Sequence, residues 1–319
     1  MQTLTIADVW RARTLLAGYL PPTPTWSYPA LDELAGADVR VKHENVQPTG
    51  AFKVRGGLTL LAGMPAAERA RGVVTWSTGN HAQSIAYASR VFGNRCVVVM
   101  PEGANENKVR AVQGLGGTVL LHGTELGEAQ EYAQKLAETE RLRPVSPAGE
   151  AALLAGVGTA YLELFEAAPG LDFLVVPVGS GTGAAAACVV AAALAPGCQV
   201  IGVQSARSPA AYDSWRTGTC VRRPNRTAVD GLATGAGFAF PQRLMRTGLA
   251  DFVLVSDLEI DRARRLLATH AHTLAEGAGS AALAAVLADP QRYAGRKVAI
   301  VCSGGNASPA EIAGLADAA

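Results

Sequence analysis

FLVVPVGSGTGAAAACVVAAALA, residues 173–195, joins a short apolar run, a glycine-rich turn and an alanine-rich run, and it contains no charged side chain. An uncharged stretch of this length could span a membrane. Pro177 and the three glycines that follow it, however, end the first apolar run after a few residues. A buried strand, a turn and a buried helix explain the pattern better, so the stretch predicts one strand–turn–helix unit of an α/β protein.

The same alternation of short β-branched runs and longer helical patterns continues in both directions along the chain. Strands are predicted at residues 39–43, 73–76, 95–100, 118–122, 173–178, 199–204, 251–255 and 297–302. Helices are predicted at residues 82–92, 107–114, 125–141, 151–168, 183–194, 260–276 and 279–287. Because strands such as RCVVVM and KVAIVC are apolar almost throughout, we expect sheets that are covered on both faces and mainly parallel.

No internal repeat and no low-complexity linker divides the chain. Residues 72–147 contain three predicted strands and three predicted helices, and we expect them to close on themselves as a small, mobile domain. Residues 1–71 together with 148–319 would form a large domain that carries the glycine-rich turn. Ligands of parallel sheets bind beyond the carboxyl ends of the strands, so the loops at those ends are the candidate sites.

Composition argues against several classes of protein. The 319-residue chain has a net charge of +1 and no run of basic residues, so nucleic-acid binding is not expected. Its five cysteines are scattered without a C-x-x-C pair, which argues against a disulfide framework or zinc site and fits a reducing compartment. The first residues, MQTLTIADVWRAR, lack the features of a signal peptide. We therefore predict a cytoplasmic protein that does not bind membranes.

The glycine-rich turn is a candidate phosphate site. Gly179, Gly181 and Gly183 follow an apolar strand and open a helix, so successive backbone N–H groups could converge on an anion. The turn does not match the G-x-x-x-x-G-K-[ST] pattern of nucleoside triphosphate sites. A dinucleotide site would require an acid near the end of the next strand, where Gln204 stands. A monophosphate fits best, and a tight turn without a ligand is the alternative.

Three other loops follow predicted strands. NVQPTGAFKVRGG, residues 45–57, places Lys53 among glycines and apolar residues, where a lysine can become a nucleophile. STGNHAQS, residues 77–84, precedes a helix whose free N–H groups could bind a carboxylate. CSGGN, residues 302–306, offers the hydroxyl of Ser303 to a buried acceptor. Taken singly, these features are also explained by a surface lysine, a helix cap and a turn.

Taken together and in order, these segments resemble one family. VKHENVQPTGAFKVRGG, STGNHAQSIAYAS, VPVGSGTG, AVDGLA, EGAGSAALAA and CSGGN resemble the threonine dehydratase and serine racemase family of fold-type II pyridoxal-phosphate enzymes. The resemblance extends over nearly the whole chain. It implies a two-lobed α/β fold similar to the tryptophan synthase β-subunit, with mostly parallel twisted sheets flanked by helices, a small lobe of about four strands, and pyridoxal 5′-phosphate in the cleft between the lobes.

The resemblance also implies roles for individual residues. Lys53 would carry the cofactor as a Schiff base, Phe52 would pack beside its ring, Asn80 would bind the ring hydroxyl and Ser303 would face the ring nitrogen. The cofactor phosphate would be bound by the turn that comprises Gly179, Ser180, Gly181, Thr182 and Gly183. The substrate carboxylate would be bound by the loop that comprises Ser77, Thr78, Gly79, Asn80 and His81.

The activity implied by the resemblance is elimination of water from a small L-3-hydroxy-amino acid such as L-serine or L-threonine, followed by release of ammonia and a 2-oxo acid. Lys53 would remove the proton from the α-carbon. Thr78 stands where racemases of the family carry a second acid–base serine, so amino-acid racemisation is the alternative. The GSGTG turn also leaves open a β-replacement transferase, and a phosphate-binding protein without catalysis is the fourth possibility. Relatives are commonly homodimers, so we expect a homodimer.

The chain departs from the family pattern at several positions, which include Ser180 and Thr182 in the glycine-rich turn. Ala51 replaces the usual serine before Phe-Lys, and Gly277 replaces the usual proline after the glutamate of the late motif. Gln204 replaces a cation-binding glutamate of the family. Because hard cations prefer carboxylate clusters, we predict no metal ion at this site.

Overall fold

The computed structural model describes residues 3–316. The strands are β1 Thr25–Trp26, β2 Asp38–His43, β3 Val73–Trp76, β4 Cys96–Met100, β5 Thr118–Leu121, β6 Arg143–Val145, β7 Phe173–Pro177, β8 Gln199–Ser205, β9 Asp251–Val255 and β10 Lys297–Cys302. The helices are α1 Ile6–Leu16, α2 Pro29–Ala35, α3 Lys53–Gly63, α4 Ala66–Ala70, α5 Asn80–Phe92, α6 Glu106–Gly114, α7 Leu126–Thr139, α8 Ala151–Ala167, α9 Thr182–Leu194, α10 Ala210–Thr217, α11 Ala239–Gly248, α12 Asp257–His270, α13 Gly277–Ala288, α14 Pro290–Tyr293 and α15 Pro309–Ala313. Two short 3₁₀ helices span Glu44–Val46 and Asp230–Leu232.

Six strands form the larger sheet, in the order β1-β2-β10-β7-β8-β9. The pairing of β1 with β2 is antiparallel, and the other pairings are parallel. Leu174 and Val176 of β7 belong to one hydrophobic cluster, whereas Phe173 and Val175 belong to another. Alternate side chains of the strand therefore enter separate cores, and the sheet is covered on both faces, as predicted.

Four parallel strands form the smaller sheet, in the order β5-β4-β3-β6. Strand β6, which has three residues and contains Pro144, is not among the predicted strands. Proline lacks the N–H group that an interior strand requires, and β6 lies at the edge of the sheet, where its absence is tolerated. All four strands lie within residues 73–145, and the assignment of residues 72–147 to a separate domain remains a prediction.

Residues 173–195 form β7, the glycine-rich turn and α9, as predicted. None of the helices in the described part of the chain is both long enough and apolar enough to cross a membrane.

The helix predicted at 260–276 is too long. Helix α12 ends at His270, and His272 adopts a φ of 51°, which breaks the helical path. The N–H group of Thr273 then bonds back to the carbonyl of Leu267 at 3.0 Å, a closure typical of helix ends. Residues 271–276 consequently form a connection that leads into α13.

The predicted loop around Lys53 is also wrong in its extent, because α3 begins at Lys53. Gly56 and Gly57 suggest a loop in the sequence, but they lie inside this helix. A Cβ atom at Gly56 would lie 2.8 Å from the Leu153 carbonyl oxygen, and one at Gly57 would lie 2.5 Å from that of Ser84. The two glycines therefore allow α3 to pack closely against the main chain of α8 and α5.

Candidate active site

Strands β2, β10 and β7 are parallel neighbours, so the loops that follow them leave the larger sheet at the same edge. The loop after β7 is the glycine-rich turn, the loop after β10 contains Ser303, and the chain after β2 leads to Lys53. Asn80, which follows β3 of the smaller sheet, reaches the same place because it bonds to Glu276 and Asn306. The four loops singled out in the sequence are thus brought together.

Lys53 occupies the first turn of α3 and points toward the glycine-rich turn. Its Nζ donates to the Thr182 hydroxyl at 2.6 Å and lies 3.4 Å from that of Ser180. The same nitrogen lies 5.3 Å from the centroid of the Phe52 ring. Burial lowers the pKa of Lys53 to about 8. A lysine in this state is partly unprotonated near neutral pH, and so it can act as a nucleophile or a base.

The glycine-rich turn is shaped as a phosphate cradle. Gly181 is the N-cap of α9 and has a φ of +87°, a left-handed conformation that favours glycine. Gly179 packs against the carbonyl of Gly231 so closely that a Cβ atom would collide with it. The first N–H groups of α9 have no partner within the helix, and the helix dipole adds positive potential there. The turn therefore offers a site for an anion.

Asn80 and His81 begin α5. Asn80 Nδ2 donates to Glu276 Oε1 at 2.7 Å. His81 Nε2 lies 2.9 Å from the hydroxyl of Thr75, while its buried Nδ1 has no hydrogen-bond partner among the described residues. Burial, together with the positive charge of the nearby Lys53, lowers the pKa of His81 to about 3, so the imidazole is neutral. The neutral ring therefore cannot form an ion pair with an anion.

The remaining residues of the predicted carboxylate loop are half-buried. The Ser77 hydroxyl accepts from the N–H group of Gly79 at 3.2 Å, which closes the loop on itself. The hydroxyl of Thr78 makes no hydrogen bond to another residue in the range 3–316. Roles for these residues in substrate binding remain predictions.

Ser303 lies against the loop of Lys53. Its carbonyl accepts from the Phe52 N–H group at 3.1 Å, and an isolated β-bridge joins Ala51 to Gly304. Ser303 is buried with 7% of its surface exposed. The loop after β10 is thus fixed to the start of α3.

Two polar residues at the site had no predicted role. Glu276 is buried, and burial, with smaller contributions from the negative charges of Glu311 and Asp230, raises the pKa of its carboxyl to about 7. Asn306 Nδ2 donates to Asn80 Oδ1 at 2.8 Å. Both residues lie in motifs that carry the family resemblance, EGAGS and CSGGN, but their contacts depend on loops that are distant in sequence.

The first turn of α3 contains Arg55, which belongs to a buried group of charged residues. Arg55 donates to both Glu44 and Glu163, with distances between 2.6 and 2.8 Å. Lys42 also donates to Glu163, at 2.6 Å. Two cations and two carboxylates balance each other, so the group adds no net charge near the start of α3.

Gln204, the residue in place of the family's glutamate, is fully buried. Its Oε1 accepts from the Tyr212 N–H group at 3.1 Å, and its Nε2 donates to the Thr234 hydroxyl at 3.3 Å. Both ends of the amide are therefore occupied by protein groups. Within residues 3–316, no group of three or more histidines, cysteines, aspartates or glutamates is arranged to hold a metal ion.

These residues fit pyridoxal phosphate. The buried amine of Lys53 has its pKa lowered by burial alone. Its neighbours include a cradle of glycines, at which a Cβ atom on Gly179 would have no room, and the unpaired buried Nδ1 of His81. A reactive lysine next to an anion site is the donor set that a phosphorylated aldehyde requires.

Comparison with known proteins agrees with this fit. Residues 16–304 match the family model described as "Pyridoxal-phosphate dependent enzyme". The chain is 36% identical to the L-threonine ammonia-lyase of Thermotoga maritima over 95% of its own length and 76% of the relative's. It is 33% identical to an L-threo-3-hydroxyaspartate ammonia-lyase of Pseudomonas sp, with 99% of each chain covered.

Among solved structures, the serine racemase of Dictyostelium discoideum is similar, with a TM-score of 0.90 and 31% identity over 96% of this chain and 100% of that one. The two-lobed α/β fold expected from the motifs is confirmed by this likeness. The chain belongs to the family of pyridoxal-phosphate dependent enzymes.

Proposed function

We propose that this protein is an ammonia-lyase that converts a small L-3-hydroxy-amino acid, such as L-serine or L-threonine, into a 2-oxo acid and ammonia. The observation that carries the proposal is the buried amine of Lys53, which lies 2.6 Å from the Thr182 hydroxyl at the glycine-rich turn. Relatives named as ammonia-lyases of threonine and of 3-hydroxyaspartate support the same class of reaction.

Each part of the site has a function in this proposal. The backbone N–H groups at Gly179–Gly183 would bind the cofactor phosphate, Asn80 would donate to the ring hydroxyl, and Ser303 would meet the ring nitrogen without a charge. Phe52 would cover one side of the ring. When bound, pyridoxal phosphate acts as an electron sink that stabilises negative charge at the α-carbon of an amino acid.

Lys53 would then move the proton. Because burial lowers its pKa to about 8, its nitrogen can accept the proton of the α-carbon near neutral pH. The hydroxyls of Thr182 and Ser180 lie beside Nζ and would stabilise the protonated amine that results. The free N–H groups at the start of α5, with Ser77 and Thr78, would orient the substrate carboxylate.

The test is a substrate panel with the protein reconstituted with pyridoxal phosphate. L-Serine, L-threonine and L-threo-3-hydroxyaspartate are offered in turn, and ammonia and 2-oxo acid are measured. Lys53→Ala should reduce the rate by about 10³-fold or more, because it removes the base. Lys135→Ala, at an exposed lysine, is the matched control and should keep the rate. Absence of 2-oxo acid with every substrate would refute the proposal.

Racemisation is the second candidate, and the unpaired hydroxyl of Thr78 favours it together with the likeness to a serine racemase. A racemase requires a second acid–base group on the face of the substrate opposite Lys53. If the protein racemises, D-serine should accumulate from L-serine. Thr78→Ala should abolish that product, while elimination continues at a reduced rate because Thr78 also orients the substrate carboxylate. A β-replacement activity would instead appear as a new amino acid when a thiol is added.

We also propose that the protein works in the cytoplasm as a homodimer. Four of its five cysteines are buried and none of the five forms a disulfide, which suits a reducing compartment. Size-exclusion chromatography with light scattering tests the dimer, because a monomer mass at micromolar concentration would refute it.

A further inference from the structure

Asn306 has no role in the site described so far, yet its side-chain amide is engaged on two sides. Its Nδ2 donates to Asn80 Oδ1 at 2.8 Å and to the main-chain carbonyl of Thr49 at 2.8 Å. An amide nitrogen has two hydrogens, so both are used. A main-chain carbonyl can only accept, and it therefore forces the nitrogen of Asn306, not its oxygen, toward this side.

The packing around Gly50 fixes the other end of Asn306. Gly50 has a φ of +68°, and a Cβ atom there would lie 2.5 Å from Asn306 Oδ1. The Gly50 carbonyl also accepts from the N–H group of Gly305 at 2.8 Å, which clamps the two loops together. Asn306 is thus held in one place and in one orientation by main-chain groups.

The orientation of Asn80 follows from that of Asn306, and the Glu276 carboxyl on the opposite side favours the same orientation. A side-chain amide can be turned by half a rotation, which exchanges its donor end with its acceptor end at little steric cost. Because Asn306 presents a donor, Asn80 must turn its oxygen toward it. Asn80 Nδ2 then faces the opposite side, where one hydrogen goes to Glu276 Oε1 at 2.7 Å and the second remains available.

We propose that Asn306 is a positioning residue that sets the amide of Asn80 with its free N–H directed at the ring oxygen of the cofactor. The inference rests on the proposed role of Asn80. An Asn80 amide turned the other way would present its oxygen to that ring oxygen, and two acceptors would repel each other. The hydrogen bonds from Asn306 to the Thr49 carbonyl and to Asn80 therefore determine which end of the Asn80 amide faces the cofactor.

Asn306→Asp tests this directly, because a carboxylate accepts where the amide donated. Asn80 would then turn its nitrogen toward residue 306 and its oxygen toward the cofactor, and its bond to Glu276 Oε1 would be lost. We expect the dissociation constant of the apoprotein for pyridoxal phosphate to rise by about ten- to a hundredfold, the range for a lost bond to a charged acceptor. The pH at which the visible band of the bound cofactor titrates should also shift. Asn225→Asp, at an exposed loop residue, is the control and should bind as the wild type does.

A double-mutant cycle separates positioning from a general structural effect. In the Asn80→Ala background, Asn306→Asp should cause no further loss of affinity beyond about twofold, because the residue through which it acts is gone. Asn306→Ala, which removes the orienting bond without imposing the opposite one, should weaken binding less, by about fivefold. It also serves in the cycle if the aspartate variant fails to fold.

Two results would overturn the inference. One is wild-type affinity in Asn306→Asp and Asn306→Ala alike; the other is an equal loss of affinity with and without Asn80. The affinity of the wild-type protein for pyridoxal phosphate, measured alongside, distinguishes these outcomes from failure of the proposed function. If the wild type itself binds no pyridoxal phosphate, the proposed function fails, whereas normal binding by wild type and variants refutes only the role of Asn306.

Discussion

The ε-amino group of Lys53 lies among hydroxyls and glycines, and burial lowers its pKa to about 8 from its ordinary value of 10.5. The free amine, which is the reactive form, therefore predominates above about pH 8. We predict that the rate at which the apoprotein captures pyridoxal phosphate rises between pH 7 and 9 with a midpoint near pH 8. Stopped-flow recording of the visible band measures it, and a midpoint near pH 10 would show that the amine is not desolvated.

The buried carboxyl of Glu276 leads to a prediction about how stability changes with pH. Burial raises the pKa of this carboxyl to about 7 from 4.5, so between these values the folded protein binds more protons than the unfolded chain. Stability should therefore fall as the pH rises from 5 to 8. Glutamine at position 276 cannot ionise, so the Glu276→Gln variant lacks this loss of stability. The difference in free energy of unfolding, variant minus wild type, should be larger at pH 8 than at pH 5 by about 1–3 kcal/mol. Urea unfolding of both apoproteins at the two pH values tests this, and parallel pH profiles would count against it.

The sequence predicts the residues of the site better than their partners. Lys53 and Gly181 lie in motifs whose local pattern already indicates a nucleophile and an anion cradle. The bond between Asn80 and Glu276 joins residues 196 positions apart, and no local pattern indicates which of many polar residues will meet. Glu276 and Asn306 therefore required the structure.

At the scale of single elements, α3 depends on close approach of main chains. A Cβ atom on Gly57 would lie 2.5 Å from the Ser84 carbonyl oxygen, whereas one on Gly63 of the same helix would meet nothing within 4 Å. We predict that Gly57→Ala lowers the free energy of unfolding by about 2–3 kcal/mol, because α3 and α5 must separate. Gly63→Ala should be neutral or stabilising by up to about 1 kcal/mol. Equal effects in urea unfolding would contradict the close packing.

The errors of sequence prediction also arise at this scale. Gly56 and Gly57 lower helix propensity, but the contacts of α3 with α5 and α8 outweigh that cost. The end of α12 at His270 escaped prediction because the residues beyond it, including His272, carry no glycine or proline to mark the stop. Strands with continuous apolar runs, such as β7 and β10, were predicted almost to the residue because both faces are buried.

At the scale of the whole molecule, the site is assembled from both sheets. The larger sheet supplies the glycine-rich turn and Ser303, and the loop after β3 of the smaller sheet supplies Asn80. The alternation of strands and helices predicts parallel sheets, but it does not specify how two sheets face each other. That arrangement depends on contacts between distant segments, such as the close packing of Gly57 in α3 against the Ser84 carbonyl in α5.

If residues 72–147 form a mobile domain, substrate should close it over the cofactor. We predict that amide hydrogen exchange in these residues slows when L-serine is added to the reconstituted protein, because closure excludes water from the cleft. Exchange within β7, β8 and β9 of the larger sheet should change less. Mass spectrometry of peptides gives the comparison, and equal slowing in both regions would argue against a separate mobile unit.

The most direct measurement identifies the lysine that holds the cofactor. The apoprotein is incubated with pyridoxal phosphate, treated with borohydride to make the attachment permanent, digested, and mapped by mass spectrometry. The chain offers five lysines: Lys42, Lys53, Lys108, Lys135 and Lys297. We predict the label on Lys53, at one cofactor per chain. A label on any other lysine, or none, would contradict the proposed chemistry of this site.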